Sequence, residues 1–73
     1  MKKQYYINNN QQSNGDYEVH ESSCSYLPSI NNRIYLGSFY TCQDAVDEAK
    51  RLYPFRKSNI NGCYYCSKFC HTS

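Results

Sequence analysis

Ten residues toward the C-terminal end, Gly62-Cys63-Tyr64-Tyr65-Cys66-Ser67-Lys68-Phe69-Cys70-His71, constrain the fold more than any other segment. Two thiolates separated by two residues can turn toward one cation while backbone amides donate hydrogen bonds to the sulfurs. Cys63 and Cys66 therefore form half of a tetrahedral N/S site. His20 and Cys24, spaced His-x3-Cys, offer the other half. A site assembled this way clasps the tail onto a segment some forty residues upstream.

A clasp is needed because the chain has only 73 residues, of which 40% are apolar and nine are tyrosines. A domain of this size removes only about 60% of its unfolded surface from water and is marginal without a staple. Tyrosine hydroxyls also demand water or a partner. Core burial must therefore offset a conformational entropy of roughly 1.5 kcal/mol per ordered residue with few large aliphatic side chains.

Five cysteines can supply the staple as metal ligands or as disulfides, and an odd count leaves one thiol over from a fully paired framework. Met1-Lys2-Lys3 carries positive charge, but the following Gln4-Tyr5-Tyr6-Ile7-Asn8 holds no apolar stretch of export-signal length. No membrane-spanning run is present. The expectation is a cytoplasmic chain with reduced thiols, where cysteine clusters are metal sites more often than disulfides. The expected ligands are His20, Cys24, Cys63 and Cys66 around Zn2+. Cys42, Cys70 or His71 is the alternative replacement for one member, and disulfides or free thiols are the alternative to metal.

The coarse pattern is α+β: about three antiparallel strands and one helix in a single domain, residues 1–73. Lys3 to Ile7 reads as a strand, and Asn8 to Gly15 as a hairpin loop whose Asn14-Gly15 is a turn signal. Asp16-Tyr17-Glu18-Val19-His20 alternates as a second strand, with His20 at its end. Glu21 to Asn32 reads as irregular, and Arg33 to Phe39 as the third strand. Thr41 is the N-cap of a helix, with Asp44 at the capping-box position. Cys42, Ala45, Val46, Ala49, Leu52 and Tyr53 form its apolar stripe, and Pro54 ends it. Phe55 to Asn61 reads as a linker, and Asn61-Gly62 as the turn into the knuckle.

Two strands, His-x3-Cys, strand, capped helix and CxxC, in that order, resemble the N-terminal metal-binding domain of the Ada DNA-repair methyltransferases and small bacterial proteins of the same pattern. The resemblance spans residues 16 to 66, with 1 to 15 as an added hairpin and 67 to 73 as a tail. It implies that the pairs His20/Cys24 and Cys63/Cys66 hold zinc. In that family the first ligand is a cysteine that also accepts a methyl group from a DNA phosphotriester. His20 stands at that position, and imidazole is not the activated sulfur that this transfer uses.

The net charge of +2 argues against a strongly electrostatic nucleic-acid binder. Arg56 and Lys57 belong to a sparse basic run that can touch phosphates, and the plainer reading is a solvated helix end. Tyr64 and Tyr65 flank the metal and can present a contact surface. A closed four-ligand shell and little room for a substrate pocket speak against an enzyme. The readings that follow are a structural zinc module acting by binding, with a protein partner; an Ada-like nucleic-acid binder without methyl-acceptor activity; and a thiol sensor using Cys42 or Cys70. Cys42 falls in the first helical turn, where the helix dipole favours a thiolate, but also on the apolar stripe, where an inert buried cysteine is expected.

Overall fold

The computed structural model describes residues 1–71. It is α+β: four strands in the order β3-β1-β2-β4, with one helix packed on the sheet. The strands are β1 (Lys3–Asn8), β2 (Tyr17–Glu21), β3 (Arg33–Phe39) and β4 (Ile60–Gly62), and the helix α1 is Cys42–Leu52. Three short 3-10 turns, Ile30–Asn32, Pro54–Asn59 and Lys68–Cys70, complete the fold.

β1 pairs antiparallel with β2 on one side and β3 on the other. The loop closing β1 to β2 turns at Gln12–Gly15, where the Gly15 amide donates to the Gln12 carbonyl and Gly15 takes a φ of 94°. That positive φ is why the Asn-Gly turn signal held. Across β1 and β3, Tyr5 faces Gly37 while Tyr6 faces Tyr35, so Leu36 is an extra residue in a bulge. Gly37, with φ 127°, permits it. The bulge shifts the side-chain period: Ile34, Leu36 and Phe39, not Ser38, pack into the core.

Tyr5, Ile7, Val19 and Leu36 from the sheet meet Ala45, Val46 and Ala49 from α1. The helix begins as the sequence indicates, the Asp44 amide donating to Thr41 Oγ1 at 3.2 Å. It ends before Pro54, and the Tyr53 amide donates to the Ala49 carbonyl. Leu52, read as part of the apolar stripe, is 41% exposed and stays outside the core cluster.

The expectation of about three strands falls short by one. Residues 55 to 61, read as a linker, supply most of a 3-10 turn and the start of β4. β4 runs parallel to β2, with Tyr17 opposite Ile60 and Val19 opposite Gly62. Gly62 is ordinary in φ, so it does not serve as a turn residue. Its role is close approach: an added Cβ would lie 2.7 Å from Cys70 Cβ and 2.8 Å from the Ser67 carbonyl oxygen.

Candidate metal centre

The parallel register of β4 on β2 builds the site. With Gly62 opposite Val19, the next amide, Cys63, donates to the Val19 carbonyl at 2.9 Å and so stands level with His20. Successive strand residues point to opposite faces. Val19 enters the helix-covered core, and His20 turns away from it. His20 is nevertheless only 1% exposed. The turn after β2, closed by the Cys24 amide on the Glu21 carbonyl, and the turn 63–67, closed by the Ser67 amide on the Cys63 carbonyl, bring the sulfurs that cover it.

His20, Cys24, Cys63 and Cys66 place their donor atoms within 4.8 Å of one another and can hold a metal ion. Cys24 Sγ lies 3.6 Å and Cys66 Sγ 3.9 Å from His20 Nδ1, and Cys24 Sγ lies 3.9 Å from Cys63 Sγ. A tetrahedron with metal–sulfur bonds near 2.3 Å and metal–nitrogen bonds near 2.05 Å has N···S edges of about 3.5 Å and S···S edges of about 3.8 Å. These three spacings lie within about 0.4 Å of such edges.

The electrostatics fit as well. Burial holds the His20 imidazole down at about 4, so it is a neutral donor at physiological pH. Burial pushes the thiols of Cys63 and Cys66 up, although the Tyr65 and Cys66 amides donate to the Cys63 sulfur and the Glu21 amide to that of Cys66. These are the knuckle's amide-to-sulfur bonds. Without a cation they do not overcome burial, and a bound cation supplies the charge that stabilises thiolates. With Nδ1 aimed at the sulfurs, His20 Nε2 has no hydrogen-bond partner, and Glu18 Oε1 lies 3.9 Å away. Gln12 Nε2 donates to that same oxygen at 2.8 Å and holds it in place.

The remaining candidates lie outside the cluster. Cys42 and Cys70 are joined by a disulfide with Cα atoms 6.2 Å apart. This corrects the reduced-thiol expectation for these two residues and removes both as substitute ligands or free reactive thiols. The pairing arises because the Lys68–Cys70 turn folds back against the first turn of α1. His71 also serves otherwise, its Nδ1–H donating to the Gly62 carbonyl at 3.0 Å and bracing β4.

Among the contact candidates, Tyr64 is 50% and Tyr65 66% exposed. Tyr65 stacks on Tyr26 with centroids 4.3 Å apart, a contact not foreseen because Tyr26 lies in the irregular segment. Tyr64 meets Tyr65 and His71 edge-on, at 5.3 and 5.4 Å. Arg56 is engaged within the fold, its guanidinium 4.3 Å from the Tyr17 ring centroid and 5.1 Å from that of Tyr53. Lys57 is exposed and shares a surface cleft with Lys50 and Arg51. Among the described residues no helix is long and apolar enough to cross a membrane.

Fold and site together define a small α+β domain with a His/Cys3 cluster competent to hold a metal ion. Compared with protein-family models, curated proteins and solved structures, the chain has no match.

Proposed function

We propose that this chain is a zinc-binding module that acts by binding a protein partner and not by catalysis. The observation that carries the reading is the donor geometry: one neutral imidazole and three thiols at tetrahedral spacing, drawn from β2, the turn after it and the knuckle after β4. A borderline-soft ion without geometric preference of its own suits that donor set. Four protein donors leave no open coordination position, which supports a structural role over a catalytic one. The exposed rings of Tyr26, Tyr64 and Tyr65 beside the knuckle support protein contact, since tyrosine combines apolar area with a polar tip.

Metal analysis of the purified chain, followed by chelator titration under circular dichroism, tests this. One zinc per chain is expected, with loss of secondary structure as it is removed, because structural zinc contributes about 10–16 kcal/mol of apparent free energy. A metal-free chain that keeps its fold refutes the structural role. The nucleic-acid reading, from the Ada-like order of ligands, draws on Lys50, Arg51 and Lys57 around one cleft. It requires retention on DNA that weakens steeply with salt. Absence of retention at low salt leaves the protein-binding reading alone.

A further inference from the structure

The Cys42–Cys70 disulfide stands beside the metal centre and is unused by it. The bond spans 28 positions in sequence and closes a loop that contains Cys63 and Cys66, half of the donor set. Inside that loop the connection is tight. The Ser67 amide donates to the Cys63 carbonyl at 2.8 Å, and the Cys70 amide donates to the Ser67 carbonyl at 2.9 Å, so backbone hydrogen bonds run from knuckle to half-cystine. Cys70 also lies directly behind β4, its Cβ 2.7 Å from where a side chain on Gly62 would begin. Gly62 precedes the ligand Cys63.

The two sulfur centres also share a surface. Cys66, Cys42 and Cys70 all line one cavity of about 460 Å3, together with Lys3 and Lys68. Cys70 itself is 8% exposed and lines that cavity.

We propose that Cys42 and Cys70 form a redox-active pair whose oxidation state sets the affinity of the His20/Cys24/Cys63/Cys66 centre, reduction weakening metal retention. This rests on the reading of that cluster as a metal centre. The physical basis is loop entropy: the bond ties the Cys70 end of the knuckle segment to α1 in the metal-free chain, so less freedom is lost when the knuckle is brought to β2. In the reducing step a dithiol supplies the two electrons. One of its thiolates attacks one sulfur of the bridge, releasing the other protein sulfur as a thiolate and giving a mixed disulfide. Its second thiolate then closes on the reductant's own sulfur and displaces the protein sulfur that was attacked. The products are two protein thiols and the cyclic disulfide of the reductant, with protons conserved. Coupling of this kind is reciprocal: whatever reduction takes from metal affinity, bound metal returns as resistance of the disulfide to reduction.

The test compares metal affinity of the full chain, disulfide intact and reduced, by Zn2+ competition against a chromophoric chelator. A trialkylphosphine reduces the bond, becoming the phosphine oxide with oxygen from water, and is removed before titration. A C42S/C70S double variant is measured in parallel. Expected is at least about tenfold weaker binding in both the reduced chain and the variant. The reciprocal readout is a potential about 30 mV more negative for the pair when zinc is bound, the same tenfold for a two-electron couple.

Affinities equal within about twofold overturn the coupling and leave the metal centre standing. No zinc binding in any form overturns both. Mass spectrometry after alkylation of the unreduced chain, denatured with chelator present, must find Cys24, Cys63 and Cys66 alkylated and Cys42 joined to Cys70, and five alkylated cysteines would also overturn the proposal. Where the double variant does not fold without metal, the phosphine-reduced chain carries the comparison.

Discussion

Replacing Gly62 by alanine adds one methyl group where the structure has no space. The new Cβ would lie 2.7 Å from Cys70 Cβ, 2.8 Å from the Ser67 carbonyl oxygen and 2.9 Å from the Cys70 carbonyl carbon. Two of these neighbours are backbone atoms, and the third belongs to a half-cystine tied to α1, so no flexible side-chain end can yield. Overpacking of this kind costs about 1–3 kcal/mol. For a domain of this size each kcal/mol shifts melting by about 4–8 °C, so G62A is expected to melt roughly 5–20 °C lower. The assay is thermal denaturation at fixed zinc, because melting of a metal-bound chain depends on metal concentration. Gly15→Ala is the control. At Gly15 the nearest atom to a new Cβ is Gln11 Nε2 at 3.8 Å, and the penalty comes from the φ of 94° alone. Both variants lose stability, but only G62A displaces the residue before a ligand, so only G62A weakens zinc binding. A G62A chain melting within about 2 °C of the parent, with unchanged affinity, would refute the claim that β4 and the Lys68–Cys70 turn meet without space between them.

Glu18→Ala is expected to weaken metal binding about 10–100-fold with the fold retained, since it removes the carboxylate facing His20 Nε2; chelator competition against the parent chain measures this, and unchanged affinity refutes an orienting role for Glu18. Thr41→Ala removes the acceptor for the Asp44 amide at the start of α1 and should cost about 1 kcal/mol without changing metal affinity, read as a fall in melting temperature. Zinc affinity should rise with pH by about two decades per unit or more around neutrality, as the ion displaces protons from Cys63 and Cys66, whose thiols burial pushes up. His20, held at about 4, is neutral there and adds nothing to that slope. A slope near zero from pH 6 to 8 would contradict thiol ligation.

The elements legible in the sequence are those whose signals are local. Thr41 capping and the Ala45, Val46 and Ala49 stripe specify α1 with no help from the rest of the chain. Alternation along β2, and Gly15 at its turn, specify the first hairpin. β4 escaped because it is three residues long and contains Asn61-Gly62, a dipeptide that reads as a turn. Its extended conformation is imposed from outside, by pairing with β2 and by the Cys70 backbone that only glycine admits. The donor cluster was legible because CxxC and His-x3-Cys are each a short-range spacing that suits one ion. The disulfide was hidden because nothing local marks two residues 28 apart as neighbours. One clue was present in the count. Three of five cysteines in the cluster leave two, so the odd total that argued against a disulfide framework is what a His/Cys3 site and a single bridge together require. With an ion bound, the two devices would divide the work of a thin core: the cluster would fix the knuckle to β2, and the bridge fixes the following turn to α1. Residues 63 to 70 would thereby be held at both ends, which a metal site alone would not achieve.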